Sequence, residues 1–66
     1  MNYVIIEQQT TSGTTAIVTP ATYDNLIQAE AAFLQKAAAA RLSGLDCHSV
    51  SLLDQEGKII ARKSFS

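Results

Sequence analysis

Cys47 and His48 are the side chains here best suited to act as nucleophile and base, and they are adjacent. Neighbouring residues on a strand point to opposite faces, so within one chain this pair cannot meet; a dyad would have to be assembled from two copies. They are also the only cysteine and the only histidine among 66 residues, which rules out an intrachain disulfide and any His/Cys metal site of ordinary ligand number. His48 alternates with Val50 and Leu52 on one face and reads as a packed histidine rather than a ligand or base. Cys47 reads as a small, reduced, half-buried side chain. Asp54 and Glu56 fall in a turn pattern, where carboxylates are usually solvated, so they do not make an acid-base pair. The Thr10–Thr15 hydroxyls around Gly13 can hydrogen-bond a phosphate, but the segment lacks the lysine and the strand-to-helix context of a phosphate-binding loop. The chemistry therefore points away from an enzyme, and no cofactor is expected.

A binding site for an anionic nucleotide would have to draw on Lys36, Arg41, Arg62 and Lys63, on the hydroxyls of Thr11, Ser12 and Thr14, and on His48 at its margin, assembled best where two chains meet. Five Lys and Arg against six Asp and Glu give a net charge of −1, which argues against a nucleic-acid binder driven by charge. Glu7 is the only charged residue before Asp24, whereas Lys58, Arg62 and Lys63 crowd the C-terminal end. That spacing predicts a basic edge strand, serving either to blunt the sheet edge or as an anion-binding strip.

These residues need a frame, and the pattern supplies one. Asn2 to Gln8 is rich in Tyr, Val and Ile and reads as a strand that is apolar on both faces, hence central or covered on its second face. Thr10 to Gly13 reads as a turn, and a second strand runs from Thr14 to about Thr19, where Pro20 is expected to end it. Thr22 or Asp24 can cap a helix that continues to about Leu42 and stops at Ser43-Gly44. Leu26, Ile27, Phe33, Leu34 and Ala37 form the stripe expected to lie on the sheet. Ala29, Ala32, Ala39 and Ala40 form a small-residue flank, suited either to a thin sheet-packing layer or to a helix-helix contact in a dimer. Glu30 and Arg41 are rim residues or find partners across an interface. Cys47 to Leu53 alternates as a strand, Asp54 to Gly57 is a hairpin turn, and Lys58 to Phe65 is the last strand.

The expectation is a single α+β domain over residues 1–66, β-β-α-β-β, with a four-stranded antiparallel sheet and one Ala-rich helix on one face. So small a core, with no disulfide or metal, favours self-association, most simply a homodimer. The uncovered sheet face would be the interaction surface. MNYVIIEQQ lacks the features of a signal peptide and no run is long enough to span a membrane, so a cytoplasmic protein is expected.

From Ala29 to Ser64, AEAAFLQKAAAARLSGLDCHSVSLLDQEGKII and the residues after it resemble a family of small uncharacterised proteins encoded in prophages and mobile elements of Firmicutes, including gut Clostridia. Phe33 stands where that family often has tyrosine, and Phe65 lacks a following histidine. The resemblance implies a phage or mobile-element accessory protein that acts by binding. One form of that expectation is a homo-oligomer blocking a host antiphage defence component, either a host protein or a small nucleotide signal. The alternative is a structural or assembly accessory of the phage particle.

Overall fold

The structure, a computed structural model, describes residues 2–65. Four strands and one helix follow the order β1 (Tyr3–Thr11), β2 (Thr14–Tyr23), α1 (Leu26–Leu42), β3 (Cys47–Asp54) and β4 (Ile59–Phe65). The strands form one open antiparallel sheet in the order β2-β1-β3-β4, with the helix against one face. The α+β reading is thus what the chain adopts. Apolar on both faces, β1 is central, and the basic strand β4 lies on an edge.

Ser12 and Gly13 both have positive φ and join β1 to β2 through a two-residue turn, the geometry that matches strand twist in a hairpin. Pro20 does not end β2. The strand continues to Tyr23, and the β1–β2 register shifts between Ile5 and Glu7, opposite Val18 to Ala21. An edge strand tolerates proline because a missing N–H on the outer side breaks no ladder bond, and a bulge absorbs the misfit. The longer strand moves the helix start. Asn25, rather than Thr22 or Asp24, is the cap, its Oδ1 accepting from the N–H groups of Ile27 (2.8 Å) and Gln28 (3.2 Å). At the other hairpin, Asp54 Oδ1 accepts from the N–H groups of Glu56 and Lys58, both at 2.9 Å, so this turn carboxylate is structural as well as solvated.

The helix lies on the sheet through Ala29, Phe33, Ala37 and Ala40, spaced i, i+4, i+8 and i+11 along one face. Of the five residues expected there, Phe33 and Ala37 are buried; Leu26 sits at the boundary, and Ile27 and Leu34 point outward, 78% and 63% exposed. The reason is volume. The sheet already presents Tyr3, Ile5, Tyr23, Val50, Leu52 and Phe65 to this layer, so the facing helix must be lined by small residues with one large ring inserted among them. Ala29 and Ala40 are therefore used in packing on the sheet, the first of the two uses that flank suits; Ala39 alone of the four is exposed. Ile27→Gln and Leu34→Gln should each change the unfolding free energy of the isolated chain by no more than about 0.5 kcal/mol. Urea denaturation at low protein concentration checks this, and a loss of several kcal/mol would mean that these side chains are core after all.

Candidate functional site

Two constellations stand out, one on each face of the sheet. The first lies under the helix. Register places Glu7 opposite Val50 and Gln9 opposite His48, so Glu7 and His48 are diagonal neighbours on the helix-facing side. His48 Nε2 is 2.6 Å from Glu7 Oε2, and Nδ1 is 3.1 Å from Ser43 Oγ. An ionised carboxylate only accepts, so Nε2 carries the hydrogen in the bond to Glu7. Gln9 Nε2 donates to the same carboxylate oxygen at 3.0 Å, and Lys36 Nζ lies 3.8 Å from the other. Burial opposes ionisation of Glu7 and is the largest single influence. The hydrogen bonds from Gln9 and His48 and the charges of His48 and Lys36 together outweigh it, holding the carboxyl below its ordinary value of 4.5.

Ser43, His48 and Glu7 form a hydroxyl, imidazole and carboxylate in line, the residue types of an acyl-transfer triad. Their geometry is that of a structural clasp. Ser43 Oγ donates to the Ala40 carbonyl oxygen at 2.8 Å and accepts from the Leu45 N–H at 3.4 Å, so the hydroxyl closes the C-terminal end of the helix. His48 is 5% exposed, and two depressions of the described surface are lined by neither Ser43 nor Glu7. The hydroxyl is committed to the helix end, and the network joins that end to the two central strands.

The second constellation is on the open face. Alternation directs Val4, Ile6, Gln8 and Thr10 of β1 away from the helix, with Cys47, Ser49, Ser51 and Leu53 of β3 beside them. Val4, Ile6 and Leu53 are half-buried, and Ile17 and Ile59 are exposed. At the other end of this face lies a depression of about 440 Å3, lined by Gln8, Thr10, Cys47, Ser49, Arg62 and Ser64, with His48 and Phe65 beneath. Its shape follows from side-chain length: Cys47, Ser49 and Ser64 are short, and Gln8 and Arg62 rise beside them. Cys47 is exposed here, not half-buried as its composition suggests.

No protein-family model, curated protein or solved structure matches this chain. The site must be read from its own residues. The anion-binding candidates do not converge. Arg62 lines the open-face depression, while Lys63, the next residue, pairs with Val50 and projects on the helix side. Lys36 is engaged with Glu7, Arg41 is exposed in the last turn of α1, and His48 is buried in the clasp. Thr11, Ser12 and Thr14 lie at the β1–β2 tip, where the Ser12 N–H already donates to Asp46 Oδ2 at 2.8 Å. A carboxylate on that N–H opposes an anion at the tip.

Glu7, Gln9 and Ser43 are the residues that sequence reasoning passed over. Glu7 carries a signal that was available: it is the lone charge in the first 23 residues and shares strand parity with Tyr3 and Ile5. Among the described residues, no group of three or more His, Cys, Asp or Glu side chains is placed to hold a metal, and no helix is long and apolar enough to cross a membrane.

Proposed function

We propose that this chain is a small, non-enzymatic binding protein that works through the open face of its sheet, as a homodimer in the host cytoplasm, and blocks a host component. The observation that carries this reading is the uncovered face itself. Val4, Ile6, Leu53, Ile17 and Ile59 lie there with Arg62 as its charged residue, and an apolar sheet face of this kind marks an interaction surface. The clasp supports the absence of catalysis, because its serine and histidine are saturated by structural hydrogen bonds. The finer reading, a phage or mobile-element accessory acting against a host defence protein or its nucleotide signal, is supported by the resemblance of the Ala29–Ser64 segment.

Ile6→Glu tests it, since this side chain is on the open face of a central strand and outside the buried core. Wild-type protein should run as a dimer in light scattering and protect phage in a host carrying an active defence. The variant should keep its circular dichroism spectrum, become monomeric and lose protection. A wild-type chain that is strictly monomeric and protects no phage would sink the proposal.

A further inference from the structure

We propose that the depression on the open face binds a small phosphate-bearing anion, gripped by the Arg62 guanidinium and the hydroxyls of Ser49 and Ser64. The inference rests on the reading of this face as the working surface, and it names the chemistry that one part of the face accepts.

Register builds the site. Gln8, Ser49 and Ser64 stand in one row across β1, β3 and β4, because Gln8 pairs with Ser49 and Ser49 with Ser64. Thr10 and Cys47 make the adjoining row on one side, and Ser51 and Arg62 the row on the other. Rows on one face are about 7 Å apart, a spacing that the long Arg62 side chain is able to span to the row of Ser64 and Ser49. The backbone donors of β1 and β3 in these rows are spent in the sheet ladder, which leaves recognition over the central strands to side chains. Those side chains supply donors from the Gln8 amide, from the Ser49 and Ser64 hydroxyls, and from a guanidinium whose planar fork matches the oxygens of a phosphate; Thr10 Oγ1, at the margin, is paired with Thr15 Oγ1 at 2.9 Å.

Charge selects the ligand class. Arg62 is the only formally charged residue in the lining, no Asp or Glu lines the depression, and among the described residues no carboxylate pairs with Arg62. The carboxylate of Glu7 is on the opposite face and is held by His48, Gln9 and Lys36. A second surface depression, lined by Asn2, Thr22, Tyr23, Asp24 and Gln28, has a carboxylate and no cation, so it lacks this character. A volume of about 440 Å3 falls within the range of small-molecule sites.

The test is a titration of 15N-labelled protein, followed by amide chemical shifts, with inorganic phosphate, AMP and adenosine as probes. Phosphate and AMP should move the amides of Gln8, Ser49 and Ser64, and adenosine should not. Arg62→Gln should weaken AMP binding by about tenfold or more, as expected for loss of a charge-assisted fork, whereas Lys63→Gln should change it by less than about twofold. The two variants remove the same charge from adjacent exposed positions on opposite faces, so equal weakening would reduce the effect to general electrostatics and overturn the proposal. Equal shifts with adenosine, or none with AMP at millimolar concentration, would also overturn it. If the dimer and phage protection persist in that case, the site alone is lost and the interaction reading stands.

Discussion

Phe33→Ala is expected to leave most of the population unfolded at room temperature. The ring is the one large side chain that the helix inserts between its buried alanines and the layer of Ile5, Val50 and Leu52. Removing it takes away apolar burial and leaves a cavity lined by residues that cannot collapse, since Ala29, Ala37 and Ala40 have no length with which to fill it. Such truncations cost about 3–5 kcal/mol. In a chain this short, with no disulfide, the core supplies no more than about 3–5 kcal/mol in total, so the loss consumes nearly all of it. Phe33→Leu, which refills much of the volume, should remain folded with a lower urea midpoint. An unchanged midpoint for Phe33→Ala would mean that the helix does not depend on its packing against the sheet.

The same helix shows where a pattern of residue types stops informing. Its existence and its end at Leu42 follow from the uninterrupted run of helix formers. Its buried side does not, because apolar residues lie on both sides: Ile27 and Leu34 on one arc, Leu26, Ala29, Phe33, Ala37 and Ala40 on another. Ranking by bulk adds Ile27 and Leu34 to the buried side and leaves out Ala29 and Ala40. The choice is made by the partner surface, whose aromatic and branched side chains leave room around Phe33 only for alanine. β1 and β4 were readable for a different reason. Two-faced apolarity and clustered basic charge each report directly on a strand's place in a sheet, centre and edge. The sites depend on pairing, which no local pattern contains. Glu7 meets His48, and Gln8 lines up with Ser49 and Ser64, only once β1 lies beside β3 and β3 beside β4 in one register.

Acid should loosen this fold, with Glu7 as the principal sensor. The carboxyl is held below its ordinary value of 4.5, despite the opposing effect of burial, by Gln9, His48 and Lys36. A group whose pKa is lower folded than unfolded binds its proton more readily in the unfolded chain. The stability it contributes is complete above the unfolded value and is lost as pH falls through the folded one. The window therefore opens near pH 4.5 and extends downward. Glu7→Ala should bring the loss to neutral pH by another route: His48, 5% exposed, would keep Ser43 at Nδ1 but have no acceptor at Nε2. Stranding a buried donor costs about 1–3 kcal/mol. Glu7→Gln restores an acceptor oxygen without the charge, so it should recover part of that loss at neutral pH and flatten the acid limb. Thermal unfolding of the three proteins between pH 3 and 7 separates the contributions. If the wild type and Glu7→Gln lost stability in parallel across that range, the acid sensitivity would belong to other carboxylates, and the clasp would be a neutral hydrogen-bonded plug at the end of the helix rather than a charged one.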